Sequence, residues 1–342
     1  MARLFFLENG LGDDGQTPLS LFPKVSGEKR PWLVPEETSY QVTVPLRRRP
    51  IALNLFLFVL TLLTTLSVGA GLAMAYARNQ PGYSLELNPL SVLSLPFRHP
   101  RQLLIGIPFS FTLLGILMAH ELGHYLTCRY YGIAASYPYF IPFPNIIGTL
   151  GAFIRIRSPI VNRKALFDVG ISGPIVGFLF ALPALAIAVA YSKIIPGSQF
   201  DGAIILGNPP LLVMLARYFH PDAAVSDILL HPVGRAAWVG LFATALNLLP
   251  VGQLDGGHIV YSLAGRKHRY ISWVFCLLLI LLGTMYWGGW ISLAILLFFL
   301  GMRHPALLDP GQELEASRKW LAIVALAIFL LCFTPAPFLA RL

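Results

Sequence analysis

Apolar residues in this chain come in long unbroken runs, without the three-to-four-residue rhythm of a soluble amphipathic helix. Runs at 51–75, 103–128 and 165–191 are each long enough to cross a bilayer core as a helix, which takes about 20 residues. A fourth run, 234–263, has the length but is interrupted at Asn247-Leu248-Leu249-Pro250-Val251-Gly252-Gln253-Leu254-Asp255-Gly256-Gly257-His258. Proline and glycines there predict a broken helix, with Asn, Gln, Asp and His at membrane depth. Shorter runs follow at 271–286, 291–302 and 321–333, the first two separated by a tight turn at Trp287-Gly288-Gly289-Trp290. The pattern predicts an all-α polytopic membrane protein with about six to seven transmembrane helices. Only residues 132–159 read differently. They hold Pro138, Pro142, Pro144 and Pro159, then alternate like a strand over 148–157. Non-helical backbone beside a membrane site is tolerated where it lines a protein cavity, so a small membrane-associated β-hairpin is expected there. Its edge could hold an unwound peptide by strand addition. The competing reading is an ordinary surface hairpin.

Composition agrees. Of 342 residues, 56% are hydrophobic and 12% charged, against about 25% charged in soluble domains. The net charge of +9 does not indicate nucleic-acid binding, because Lys and Arg cluster beside apolar runs, as orientation signals do. Arg47-Arg48-Arg49, Arg163-Lys164 and Arg266, Lys267 and Arg269 mark one side as cytosolic, while Arg98 and Arg101 oppose that assignment. Residues 1–49 read as a cytosolic tail without the pattern of a signal peptide. The lack of a Ser/Arg-rich start favours a bacterial plasma membrane. The three cysteines, Cys128, Cys276 and Cys332, are scattered and form no disulfide framework.

Candidate chemistry sits in the last third of the second run, Met118-Ala119-His120-Glu121-Leu122-Gly123-His124. On a helix, His120 and His124 share one face and can hold one zinc ion, with Glu121 placed as general base for water. Two His and a Glu inside apolar sequence are costly in lipid, which points to function. A catalytic zinc usually takes three protein ligands. No Glu occurs between Glu121 and the charged loop at Glu313, and Thr127 and Tyr130 stand where one soluble class carries a further Gly and His. Asp255, on the broken helix, is the leading third ligand, with His258 and Cys128 as rivals. Asp168 reads as a helix cap or dipole partner. Gly170, Gly173 and Gly177 predict close helix packing.

Together, H-E-L-G-H on one span and N-L-L-P-V-G-Q-L-D-G-G-H on a later one resemble the site-2 protease family of intramembrane zinc metalloproteases. The G-T-L-G-A-F and I-S-G-P-I-V-G stretches are similar to further parts of that family's core. The resemblance implies His120, His124 and Asp255 as ligands of one Zn2+ per chain and Glu121 as catalytic base. It places Asn247 near the scissile carbonyl. It also implies a transmembrane protein as substrate. Gly148, Thr149, Gly151, Ala152 and Phe153 are the expected substrate-binding residues.

The expected organisation is a tail (1–49), a first helix with its far-side loop (50–102), a catalytic core (103–265) and C-terminal helices (266–342). Neither a PDZ nor a CBS domain is expected, and 193–231 is too short to add one of PDZ size. Two other readings are a zinc-binding membrane protein that holds clients without cutting them, and an ion transporter built on a broken helix. Glu121 argues against the first, because a structural site needs no base. A single H-E-x-x-H and a single broken segment, with no repeated halves, argue against the second.

Overall fold

A computed structural model describes residues 51–82, 100–196, 204–302, 307, 309, 311 and 313–340. The N-terminal tail, Arg47–Arg49 and Arg98 lie outside the described residues. The helices are α1 (Ala52–Ala77), α2 (Ile107–Tyr130), α3 (Arg163–Ala190), α4 (Pro210–Phe219), α5 (Pro232–Asn247), α6 (Asp255–Ala264), α7 (His268–Met285), α8 (Gly289–Leu300) and α9 (Ala316–Cys332). Strands β1 (Tyr139–Pro142) and β2 (Thr149–Phe153) form the expected hairpin. Two further antiparallel pairs join β3 (Lys193–Ile194) to β5 (Ile228–Leu229) and β4 (Ile204–Leu206) to β6 (Phe338–Ala340). Among the described residues, four stretches are long and apolar enough to cross a membrane: Ala52–Ala77, Pro100–Tyr130, Arg163–Ala190 and Asp255–Met285. The chain is an integral membrane protein of mainly helical build.

Each apolar run becomes a helix, with ends set by local chemistry. A 3-10 turn, Pro100–Gly106, leads into α2, which has Pro108 in its first turn. Asn162 caps α3, its side-chain oxygen accepting the Ala165 N–H at 2.8 Å. Pro174 and Pro183 lie inside α3 and leave two carbonyls without their helical N–H donors, which packed neighbours make tolerable in membrane helices. The interrupted run is two helices, α5 and α6, joined by Leu248 to Leu254.

Helices α2, α3 and α5 form the centre. Phe109, Leu113, Phe167, Leu185, Trp238 and Leu241 are fully buried there. A second cluster, with Leu249, Val251, Leu279, Trp290 and Leu297, packs the α7–α8 hairpin beneath the broken segment. Outward residues of α7 and α8, such as Leu277, Leu281 and Phe299, are exposed, as lipid-facing positions should be. Cys128, Cys276 and Cys332 are free and buried, so they fill space.

Helix α1 carries a buried polar stripe of Thr61, Thr64, Thr65 and Ser67. Thr61 and Ser67 return their hydroxyls to carbonyls four residues back, at 2.7 and 2.9 Å, the usual way to bury such groups in an apolar helix. Next to the stripe, α1 meets the start of α2 backbone to backbone. A Cβ on Gly106 would lie 2.2 Å from the Leu66 carbonyl oxygen.

Asp168 does not cap α3. It lies in the second turn and takes a two-pronged ion pair from Arg318 of α9, Nε to Oδ1 at 2.8 Å and Nη2 to Oδ2 at 2.7 Å. The Tyr131 hydroxyl donates to the same carboxylate. Burial, and then the Asp168 hydrogen bond, push the Tyr131 phenol up to about 12, so it stays a donor. Lys164 and Arg318 both pair with Glu315, at 2.7 and 2.9 Å. Helix α9 is thereby pinned to the start of α3 and the end of α2.

Gly106→Ala should force α1 and α2 apart. The expected cost is about 1–3 kcal/mol, read as a lower thermal unfolding midpoint in detergent. An unchanged midpoint would show that this crossing yields without cost.

Candidate metal centre

Four-residue spacing on α2 puts His120 and His124 on one face, their Nε2 atoms 3.2 Å apart. Both are buried. The Val169 carbonyl of α3 lies 2.7 Å from His124 Nδ1. That contact fixes the ring with Nδ1 protonated and turns the Nε2 lone pair to the centre, a common arrangement for a metal-binding histidine.

The glycines of α3 do more than let helices approach. A Cβ on Gly173 would stand 2.1 Å from His124 Nε2, and one on Gly177 would stand 3.0 Å from His120 Nδ1. Each imidazole occupies the space that a side chain would fill. From the other helix, a Cβ on Gly123 would meet the Ser172 carbonyl oxygen at 2.8 Å. Their small size was legible in sequence, but the imidazoles they face were not.

The broken segment supplies the third group. Asp255 is the first residue of α6, where the free N–H groups of a helix start favour a carboxylate. Its Oδ2 lies 3.2 Å from His120 Nε2 and 3.3 Å from His124 Nε2. The bend requires glycine. Gly252 has φ +58°, and Cβ atoms on Gly256 and Gly257 would fall 2.0 Å from the Leu248 oxygen and 2.5 Å from the Gly252 oxygen. Ser272 of α7 braces the loop, accepting the Gly252 N–H at 3.3 Å.

His120, His124 and Asp255 are the described His, Cys, Asp and Glu residues whose donor atoms gather as a possible metal site, all within 4.8 Å of one another. The set fits zinc. Bonds of about 2.0–2.1 Å to a tetrahedral centre place donor atoms about 3.3–3.4 Å apart, close to the three separations found. Two nitrogens and one oxygen are a usual donor set for a catalytic site with an open position. His258 stands against Gly170 of α3, a built Cβ there meeting its Cβ at 2.8 Å. Cys128 is buried with Ile133, Ala165 and Val169. Neither rival joins the cluster, and Glu313 is exposed.

Glu121 and Asn247 border the cluster. Glu121 is buried, within electrostatic range of His120, His124 and Asp255, and the Ile154 main chain is in hydrogen-bonding reach of its carboxylate. Asn247 ends α5 with Nδ2 3.3 Å from His120 Nε2. Ile154 immediately follows β2, so the hairpin lies against the site. Tyr139 pairs with Phe153 and Phe140 with Ala152, with an irregularity before Pro142 and Thr149. Among the expected strand residues, Gly148 and Thr149 make internal contacts, with Thr149 Oγ1 donating to the Ile141 oxygen at 2.8 Å. Gly151, Ala152 and Phe153 are partly exposed. Gly151 has φ +103° and open space where a Cβ would be.

Residues 108–283 match the model of the family described as Peptidase family M50. The chain is 31% identical over 243 residues to "Probable zinc metalloprotease EGY1, chloroplastic" of Arabidopsis thaliana, covering 67% of this chain and 43% of that protein. It is 30% identical over 247 residues to "Probable zinc metalloprotease EGY2, chloroplastic" of the same plant, covering 68% and 42%. A rice protein of the latter name, from Oryza sativa subsp. indica, is 32% identical over 249 residues, covering 68% and 43%. The chain thus spans less than half the length of these relatives.

Gly173→Ala should displace the His124 ring while leaving α3 helical. We expect metal affinity to fall roughly 10–100-fold, as when the support of a metal-binding histidine is lost. Zinc titration with a competing chelator measures this. Unchanged affinity would mean that α2 and α3 can part without disturbing the ligands.

Proposed function

Because the chain belongs to Peptidase family M50, we propose that it is an intramembrane zinc metalloprotease, hydrolysing peptide bonds within or near the transmembrane segments of other membrane proteins. The observation that carries this reading is the convergence of His120, His124 and Asp255 at 3.2–3.3 Å, with buried Glu121 beside them. A purely structural zinc site usually has four protein ligands and no adjacent base. The proposed catalytic core is 103–265.

His120 Nε2, His124 Nε2 and Asp255 Oδ2 are the proposed ligands of one Zn2+. When bound, the ion supplies Lewis-acid activation of water and of the scissile carbonyl. Glu121 accepts the proton of the attacking water and passes it to the leaving amine. Asn247 Nδ2 donates a hydrogen bond to the developing oxyanion, an interaction whose loss costs about 3–4 kcal/mol in a comparable case. A helical substrate hides its carbonyls in its own hydrogen bonds, so it must unwind before attack. The open edge of β2, at Gly151, Ala152 and Phe153, receives it as an added strand, with Gly148 and Thr149 shaping the approach.

The basic clusters at 163–164 and 266–269 support a cytosolic position for the site side. For the bilayer itself, the bacterial plasma membrane is our assignment. The plant relatives, named chloroplastic, make a chloroplast membrane the rival location, and membrane fractionation decides.

Glu121→Gln should keep about one zinc per chain and lose cleavage of a model transmembrane substrate. Asp255→Ala should lose zinc and cleavage together. Asn247→Ala should keep zinc and slow cleavage roughly 100–1,000-fold. Zinc content and cleavage, measured on the same detergent-purified samples, check all three. If every zinc-loaded sample, wild type included, cuts none of several substrates, the client-holding reading replaces the protease.

A further inference from the structure

Helix α1 contributes no group to the metal centre, yet it holds the β-hairpin along its whole length. Asn54 Nδ2 donates to the Tyr137 and Pro138 carbonyls at 3.1 and 3.0 Å. One turn on, Phe58 meets Phe140 edge to face, centroids 5.1 Å apart. Farther along the helix, Thr64 Oγ1 lies 2.7 Å from the Gly148 carbonyl oxygen. Ten helical residues separate Asn54 from Thr64, so the hairpin runs about 15 Å along α1.

Like Thr65, whose hydroxyl lies 2.6 Å from Ser110 Oγ of α2, Thr64 reaches off its own helix. Thr61 and Ser67 bond within the helix. The shortest partner of Thr64 is off the helix, while its in-helix carbonyls lie at 3.0 and 3.2 Å. A hydroxyl has one proton to give, and the geometry favours Gly148. Gly148 has φ +86°, and a Cβ there would fall 2.9 Å from the Thr64 carbonyl carbon. The hairpin tip is therefore pressed onto α1 by close backbone contact and held by one side-chain donor. The other end is held separately, by Ser136 N–H to Arg155 oxygen at 2.9 Å and Arg157 N–H to Ala134 oxygen at 2.7 Å. That end carries Ile154, the residue beside Glu121.

We propose that Thr64 is a positioning residue for substrate. By holding the Gly148 carbonyl, it sets the open edge of β2 along which the unwound peptide pairs. The proposal rests on the protease reading above. Because the tip and the Glu121 end are held by different bonds, loss of Thr64 acts on substrate binding and spares the chemical step.

The test compares wild type, Thr64→Val and Thr64→Ser, all zinc-loaded and detergent-purified, on a model transmembrane peptide. Valine keeps the branched shape and removes the donor; serine keeps the donor. Thr64→Val should raise KM about fivefold, the effect of one hydrogen bond, with kcat and zinc content unchanged and faster amide hydrogen exchange over 149–153. Thr64→Ser should match wild type in all four. Wild-type KM and exchange in Thr64→Val would overturn the proposal, as would equal defects in both variants, which would show that only packing matters. If wild type cuts no peptide, the protease reading falls by itself. Exchange over 149–153 then decides whether Thr64 holds the hairpin.

Discussion

Three electron-pair donors, His120 Nε2, His124 Nε2 and Asp255 Oδ2, face one point inside an apolar bundle. In such surroundings a polar atom needs a partner or its burial is costly, and three donors so close also repel one another unless a cation is shared. Much of the surrounding structure answers to that constraint. Helix α3 withdraws its side chains at Gly173 and Gly177 and offers the Val169 carbonyl to His124. The fourth apolar run breaks so that a helix begins at Asp255. Ser272 and the α7–α8 hairpin brace the loop that makes the break.

The same constraint governs the hairpin. Exposed strand backbone is not tolerated in hydrocarbon, so a strand beside a membrane active site must be shielded on one side and available on the other. Strand β1 and the polar face of α1 provide the shield. Among the described residues β2 pairs only with β1, and Ile154, which follows it, lies beside Glu121. Thr64 of α1 serves this arrangement, although its own helix offers it carbonyls at 3.0 and 3.2 Å.

Features encoded in contiguous residues were legible in sequence. Apolar length gave the helices, the H-E-x-x-H spacing gave a shared face, and Pro250 with Gly252, Gly256 and Gly257 gave the break that turns Asp255 inward. Prolines and alternation over 132–159 gave the hairpin. What could not be read depends on contacts between distant segments. Asp168 looked like a cap because it lies near a helix start, but its partner, Arg318, is 150 residues away. Gly173 looked like a packing glycine, and nothing local to it says that the neighbour is an imidazole. Gly148 and Thr149 looked equivalent to Gly151, yet the fold turns the first two toward α1 and β1. Two-residue strands such as β3 and β5 have no periodicity to detect.

The glycine faces between α2 and α3 have a mechanical consequence. Most helix pairs are separated by side chains that can rotate or compress, so the distance between axes and the shape of a nearby site vary with some independence. Here the Ser172 carbonyl stands against Gly123 and the imidazoles stand against Gly173 and Gly177, with nothing soft between. Helix separation and ligand placement become a single coordinate. A force that spreads this pair also opens the coordination sphere, so the stiffness of the bundle is itself part of the chemistry of the centre.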